Sequence, residues 1–376
     1  NGHGVSEDSL EMAFRIAKTL LDSSTQECPD PGLSLNAAIG AWNIVGSICA
    51  ARADYVEDVL PDLVKLWNTA LSVNKQKQDK RYLFALRAMG VAATALESFL
   101  QTHPGLVSTH KLAPTVVQWI KNLYGNTKAK SGALGGHLTE ALHSVKLHAS
   151  RALAQLPVSK YTALHISQLK LTAAMLIEGP RSSLISSVVE NEEEFLQYNP
   201  LAGATKRLGW SAVIHDAAWV WRSSDEDVHK WTFKQSNVTR DLVDALILSF
   251  PVVFQFQSQK NQENFLKHFL QCKSVVTAAS QRATMQVNVC LALYKLCQFM
   301  RESRMAFSSQ TQLDLLQKIV QDNLAFTMEG DVGLAYCAAH IIGSLPSIHP
   351  KSQSARSADR EAVNRYTSGI ISSLKQ

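Results

Sequence analysis

The sequence predicts an all-α protein built as an α-solenoid, in which pairs of helices stack in layers. Three observations support this prediction: apolar residues recur at helical spacing along most of the chain, several helices are apolar on two faces, and the connections between them are short. A helix that is apolar on two faces must be buried between neighbours. When such helices follow one another closely, each layer contacts mainly the layers before and after it.

The stretch between residues 238 and 345 shows this pattern most clearly. Residues 241–256 carry two apolar stripes, one with Leu242, Ala245, Leu246, Ser249 and Val253 and the other with Val243, Ile247, Phe250 and Phe254. Further helices are predicted over residues 264–279, 287–297, 313–324 and 332–345. The first of these has its apolar stripe at Phe265, Phe269, Cys272 and Val276.

Helices of similar character are predicted in the first part of the chain, over residues 9–21, 36–51, 54–71, 81–100, from 114 onward, and over 138–156. The inward residues are Met12 and Ile16 on the first of them and Ile39, Trp42, Ile44, Val45 and Ile48 on the second. A turn is predicted between these two at residues 29–32. Pro61 and Pro251 each fall inside the first helix of a pair, where a proline bends the helix. The recurrence is typical of HEAT-type units of about 40 residues.

The helical pattern weakens between residues 178 and 237, where four of the seven tryptophans are concentrated. This segment is predicted to be an irregular insert packed on the solenoid. Aromatic side chains mark hot spots on interaction surfaces, so the candidate partner-binding residues are Trp210, Trp219, Trp221 and Trp231. Ordinary burial of these rings in a core is the alternative.

The predicted organisation is one continuous array in three parts. Residues 1–177 form an N-terminal HEAT-like solenoid, residues 178–237 the insert or linker, and residues 238–376 a C-terminal HEAT-like solenoid. Near the end, residues 349–360 are predicted to form an exposed loop before a last helix over 361–374. The chain begins at Asn1 without a methionine, which favours a segment of a longer protein.

The composition favours a folded cytosolic protein. Hydrophobic residues make up 46% of the chain and charged residues 18%, which argues against disorder. The net charge of +5 is spread along the sequence, whereas nucleic-acid binders usually concentrate basic residues on one face. No apolar run reaches the length of about 20 residues that a membrane span requires. The six cysteines lie mostly in apolar contexts and are interpreted as small buried side chains in a reducing compartment.

No pattern of catalytic, cofactor-binding or metal-ligating residues is found. The segment containing Gly132, Gly135 and Gly136 precedes a helix, but it lacks a preceding strand and the dinucleotide-binding spacing, so a loop between helices is predicted. His143 and His148 are five residues apart and lie on different faces of a helix, whereas helical metal-binding pairs need a spacing of three or four. The expectation is therefore a protein without enzymatic activity or a cofactor.

The residues of the second part of the chain resemble a known family. Residues 241–245 (DLVDA), the pair Phe250 and Pro251, and the spacing of Leu266, Phe269 and Cys272 are similar to a helix–bend–helix pattern of the large HEAT-repeat-containing family five proteins. Residues 286–289 (QVNV) and the upstream stretch 37–71 are also similar to segments of that family. Fungal members are accessory factors of the clathrin adaptor of the trans-Golgi network and endosomes, and animal members work with aftiphilin and gamma-synergin.

The resemblance implies a non-enzymatic scaffold in clathrin-adaptor-mediated vesicle traffic between the trans-Golgi network and endosomes. Such a protein would be cytoplasmic and peripheral to those compartments or to clathrin-coated vesicles. Its partners would be adaptor subunits or their accessory factors, docked along the second-helix face or in grooves between repeats. Neither nucleic acid nor direct membrane insertion is expected, and self-association through a longer parent chain is compatible with this interpretation.

Two alternatives remain open from the sequence. A HEAT-repeat scaffold for nuclear transport or RNA processing would show a concentrated charge stripe and strongly salt-dependent binding. An enzyme with its site in the insert would need a pocket near His215, Asp216 and His229.

Overall fold

The computed structural model describes residues 6–24, 31–72, 80–102, 135–154, 162–185, 235–275, 279–324 and 332–350. The regular elements in these stretches are helical and include no strand, which confirms the all-α prediction. The α-helices are α1 (Glu7–Ser24), α2 (Pro31–Ala51), α3 (Val56–Ser72), α4 (Lys80–Thr102), α5 (Gly135–Ala154), α6 (Thr162–Glu178), α7 (Gln235–Gln255), α8 (Gln259–Val275), α9 (Ala279–Glu302), α10 (Gln310–Leu324) and α11 (Val332–Ile348). A short 3-10 helix, Ala53–Tyr55, precedes α3.

The described helices belong to two compact units. The first contains α1 to α5, together with the start of α7 as far as Val238, and the second contains α6, the rest of α7 and α8 to α11. Within the first unit α1 packs on α2 and α3 packs on α4, while α2, α4 and α5 contact one another in a row. Contact between successive second helices is the layering expected of an α-solenoid.

In the first unit, aromatic packing and one arginine fix the junction between α1 and the 3-10 helix. The rings of Phe14 and Tyr55 lie 4.6 Å apart between centroids. The Arg52 guanidinium donates to Glu7 at 3.1 Å and to Asp54 at 2.8 Å, and it lies 5.8 Å from the centroid of the Tyr55 ring. Because these carboxylates are well exposed, the ion pairs add orientation more than stability.

The buried face of α1 is not the predicted one. Met12 and Ile16 are 62% and 52% exposed, whereas Phe14, Ala17 and Leu21 are buried. The helix carries two apolar stripes, and only one can face α2. Burial of the stripe with the aromatic ring removes more apolar surface from water, so the prediction chose the weaker stripe.

Further corrections concern α2 and α5. Pro31 was predicted to lie in a turn between helices, but it begins α2. The first N–H groups of a helix have no acceptor within the helix, so a proline there costs no hydrogen bond. Gly135 and Gly136 were predicted in a loop but open α5. Ile44 is 38% exposed because it lies two positions after the buried Trp42, on nearly the opposite side of the helix.

The helices of the second unit contact neighbours one layer away. Helix α8 packs on α10, and α9 packs on α11. Alternate helices therefore form two rows. Helix α6 contacts α8 and α9, and α10 contacts both α9 and α11. Like the row in the first unit, these contacts are compatible with an α-solenoid.

Helices α7 and α9 are buried on every side along most of their length. Every residue from 242 to 254 in α7 and from 285 to 300 in α9 is buried. This confirms the prediction that residues 241–256 carry two inward stripes. Pro251 lies inside α7 and Pro61 inside α3, as predicted from the sequence.

A cluster of phenylalanines joins α7 to α8. The Phe250 ring lies 5.0 Å from Phe265 and 5.3 Å from Phe254, and the Phe265 ring lies 4.8 Å from Phe269. Aromatic contacts of this kind add about 0.5–1.5 kcal/mol per pair to the area they bury. The cluster supplies much of the apolar contact between these two helices.

Two glutamines extend the connection from α7 through α8 to α10. The Gln262 amide donates to the Phe254 carbonyl at 2.8 Å. The Gln312 amide donates to the Gln262 oxygen, while the Gln312 oxygen accepts from the N–H groups of Ser308 and Ser309 at 3.0 and 3.1 Å. The Gln312 oxygen thereby supplies an acceptor for backbone donors at the start of α10.

The end of α11 also differs from the prediction. The helix continues to Ile348, beyond its predicted end at residue 345, with Pro346 inside it. His349 was predicted to begin an exposed loop but is only 4% exposed. The Phe307 N–H donates to the Ile348 carbonyl at 3.0 Å, which holds this end against the segment that follows α9.

Gly179 ends α6 at a point of close approach between helices. Its N–H donates to the Met175 carbonyl at 2.9 Å. A Cβ at this position would lie 2.7 Å from Cγ2 of Val243 on α7 and would overlap the Met175 carbonyl oxygen. Only a residue without a side chain lets α6 and α7 pack this closely.

We expect the substitution Gly179→Ala to destabilise the protein by about 2 kcal/mol or more, because the new methyl group overpacks a buried contact. The matched control is Gly343→Ala in α11, where an added Cβ meets nothing within 4 Å. There the removal of glycine from a helix should stabilise by about 0.5–1 kcal/mol. Denaturant unfolding measures both, and equal effects of the two substitutions would contradict the assigned packing.

Candidate functional site

Four polar side chains lie on the buried part of α9, which contacts α6, α10 and α11. They are Gln286, Asn288, Lys295 and Gln298. A polar group in such a position costs free energy unless it is hydrogen-bonded. The hydrogen-bond partners of each side chain therefore distinguish a structural role from a binding role.

Asn288 is fully buried and anchors the segment that follows α6. Its side-chain oxygen accepts from the Ser182 N–H at 2.9 Å. Its amide donates to the carbonyl oxygens of Pro180 at 3.0 Å and Leu176 at 3.4 Å. With an acceptor and two donor contacts in use, Asn288 has a structural role.

The same segment is bound from the other side by Asp244 of α7. Its carboxylate accepts from the hydroxyl groups of Ser182 and Ser183. Burial raises the pKa of Asp244, while the two serine hydrogen bonds act in the opposite direction. Asp244 is only 7% exposed, so its carboxylate offers almost no surface to a substrate.

Lys295 is a buried amine in the middle of the second unit. It is 2% exposed, its ammonium donates to the Gln298 side-chain oxygen at 3.4 Å, and it lies 5.6 Å from the centroid of the Tyr294 ring. Burial lowers the pKa of Lys295 to about 8, although the nearby Cys337 and Glu302 oppose this shift. A lysine near neutrality can act as a nucleophile when a substrate reaches it, but burial shields this one.

An open cleft lies between α8, α9 and α10. It has about 290 Å³ of empty space, part of which is continuous with solvent. The described residues that line it are Phe269 and Leu270 of α8, Met285, Gln286 and Val289 of α9, and Ile319 and Asp322 of α10. The walls are mainly apolar, with one amide and one carboxylate among them.

Gln286 distinguishes this cleft from an ordinary packing defect. The residue is 2% exposed, and its amide nitrogen has no hydrogen-bond partner among the described residues. Asn288, two positions along the helix, uses its whole amide within the protein. A mostly apolar cleft with a few polar groups is the usual form of a binding site, so this cleft is the candidate functional site.

His268 and Cys272 are a pair of potentially reactive side chains on α8. The Cys272 sulfur lies 3.4 Å from Nε2 of His268, as their spacing of four residues on a helix allows. Metal binding usually needs further ligands, and no group of three or more metal-ligating side chains occurs in the described part of the chain. The prediction that the cysteines are buried holds for Cys49, Cys290, Cys297 and Cys337 but is wrong for Cys272, which is partly exposed on the side of α8 that carries His268.

The site residues predicted from the sequence are not tested by this geometry. Trp210, Trp219, Trp221 and Trp231 lie outside the described residues, as do His215, Asp216 and His229. Sequence reasoning missed Gln286 and Asp322. The available signal for Gln286 was a polar residue beside the apolar stripe of a helix.

His143 and His148 are both half-buried on α5. Nδ1 of His148 lies 3.4 Å from the Glu97 carboxylate on α4, and burial lowers the pKa of His143 to about 4. Both residues therefore belong to helix packing in the first unit.

Comparison of the chain with models of known protein families, with curated proteins and with solved structures finds no match. Among the described helices, none combines the length and the apolar character that crossing a membrane requires. The structural features of the second unit are therefore the basis for a functional proposal.

We expect Lys295→Met to stabilise the protein at pH 7, by an amount on the order of 2 kcal/mol. The pKa of Lys295 is lower in the folded protein, about 8, than the ordinary value of 10.5, so the folded state binds fewer protons between these pH values. Stability of the native chain therefore rises with pH across that window, and the advantage of the variant should shrink from pH 8 to pH 10.5. Urea unfolding of both proteins at several pH values measures this difference, and a constant difference would contradict the lowered pKa.

Proposed function

We propose that this chain is a non-enzymatic helical scaffold that docks partner proteins. The observation that carries the proposal is the cleft between α8, α9 and α10, where stacked helices present a mainly apolar surface. Grooves between neighbouring helices are a common docking surface for peptide segments of other proteins. The buried acid and the buried lysine described above lie in packed surroundings, which agrees with structural rather than catalytic roles.

We further propose that the partners belong to clathrin-adaptor-mediated traffic between the trans-Golgi network and endosomes, at the cytoplasmic surface of those membranes. The support is the resemblance of residues 241–289 to the adaptor-associated HEAT-repeat family. In this region Phe250 and Phe269 belong to the phenylalanine cluster, and Asn288 anchors the segment after α6. Gln286, in the same quoted stretch, lines the cleft.

We expect the full chain, used as bait in cytosol, to retain clathrin-adaptor subunits or their accessory factors both at about 150 mM salt and at high salt. The reason is that apolar docking survives screening, whereas electrostatic attraction is already limited to about 8 Å at the lower concentration. Quantitative mass spectrometry identifies the bound proteins, and pull-down of purified adaptor subunits tests whether binding is direct.

The control bait is an unrelated α-solenoid of similar size. Adaptor subunits recovered no better than by this control would contradict the trafficking assignment. Recovery of nuclear or RNA-associated proteins that wash off at high salt would favour the alternative scaffold class instead.

A further inference from the structure

The imidazole of His268 and the thiol of Cys272 lie side by side on α8. The Cys272 sulfur is 3.4 Å from Nε2 of His268 and 3.8 Å from Nδ1. Residues four apart on a helix lie one turn apart on the same face, and this is also the spacing of helical metal-binding pairs. The backbone of α8 therefore holds two metal-ligating groups as neighbours.

Both groups can be reached from solvent. His268 is exposed, and Cys272 is partly exposed, whereas the other four described cysteines are buried. Within the described part of the chain, the two side chains form hydrogen bonds only with each other. A ligand that binds them therefore displaces no other polar contact of the fold.

The separation of the two groups fits one tetrahedral metal ion. A thiolate sulfur binds Zn²⁺ at about 2.3 Å and an imidazole nitrogen binds it at about 2.0–2.1 Å. At the tetrahedral angle, these bond lengths place the sulfur and the nitrogen about 3.6 Å apart. The observed separations of 3.4 and 3.8 Å bracket this value. One ion can therefore contact both groups after small changes in their side-chain torsions.

The types of donor limit the class of ion. Thiolate sulfur and imidazole nitrogen are donors that Zn²⁺ prefers, whereas Mg²⁺ and Ca²⁺ bind mainly oxygen. No group of three or more metal-ligating side chains occurs among the described residues, so the pair does not belong to a closed structural site there. Because the pair lies at the surface, water can occupy the remaining positions around an ion.

We propose that His268 and Cys272 bind Zn²⁺, or another divalent ion that prefers sulfur and nitrogen, at an open site on α8. The nearer ring nitrogen, Nε2, and the Cys272 thiolate are the protein ligands, and two water molecules complete the tetrahedron. The thiol proton passes to water when the ion binds, because the ligand is the thiolate. This inference does not rest on the proposed docking function, since it follows from two side chains of one helix.

Titration of the full chain with Co²⁺ tests the site, because Co²⁺ bound by a thiolate absorbs strongly in the near ultraviolet. The chain is first reduced, and the reductant is removed under nitrogen. We expect a charge-transfer band that saturates at one Co²⁺ per chain and disappears when Zn²⁺ is added. Mg²⁺ at the same concentration should leave the band unchanged, because it prefers oxygen ligands.

Two variants assign the ligands. We expect Cys272→Ser to abolish the charge-transfer band and His268→Gln to weaken Co²⁺ binding at least about tenfold, which corresponds to the loss of one good contact. Circular dichroism and thermal melting verify that both variants remain folded. The matched control is His137→Gln, the same substitution at an exposed histidine of α5, which should bind Co²⁺ as the native chain does.

Each other outcome overturns the proposal. If no band appears at about 1 mM Co²⁺, the affinity is too low for a metal site. A band that persists in Cys272→Ser comes from another cysteine. If His268→Gln binds Co²⁺ as tightly as the native chain, the imidazole is not a ligand, and if His137→Gln loses binding to the same extent, the ion is bound elsewhere.

Discussion

The hydrogen bonds of the Asn288 amide are the constraint on which the second unit depends. They satisfy two carbonyl oxygens and one N–H in the segment that leaves α6, and they do so from a helix 106 residues further along the chain. Backbone groups at the end of a helix lose their regular partners, and when they are buried they need replacements. Because one side chain supplies all three contacts, the end of α6 and the middle of α9 have a fixed relative position. The absence of a side chain at Gly179 then lets α7 close over the same segment.

Directional polar contacts recur at the other layer boundaries of this unit. Asp244 bonds two serine hydroxyls from α7, and Gln262 and Gln312 continue a path from the end of α7 to the start of α10. Apolar burial and the phenylalanine cluster supply most of the stabilisation, since they remove large areas from water. Apolar contacts alone would tolerate small shifts of one helix along another. Buried hydrogen bonds that lose their geometry on such a shift hold the layers in one register.

Gln286 and Asn288 show how two amides on one helix have different surroundings. They lie two positions apart on α9 and therefore on different sides, one toward the cleft and the other toward the end of α6. The Asn288 amide is satisfied within the protein, whereas the Gln286 amide nitrogen is not. A buried donor without a partner costs free energy, which the close packing of the rest of the second unit offsets. The same packing excludes Asp244 and Lys295 from solvent.

The sequence by itself determined the all-α class, most of the described helices and the burial of residues 242–254 in α7, because apolar spacing fixes how many faces of a helix must be covered. It did not predict α6. It did not determine which of two apolar stripes on α1 is buried, since Met12 with Ile16 and Phe14 with Ala17 fit the helical period equally well. It gave no indication that His349 is buried or that Cys272 is partly exposed, because both depend on which helix end or face lies next to them. Gln286, Asn288 and Lys295 all appear as polar interruptions in an apolar helix. Only the tertiary structure decided that one anchors a distant segment, one lies beside an aromatic ring and one faces an open cleft, because a hydrogen-bond partner is a property of two positions brought together in space.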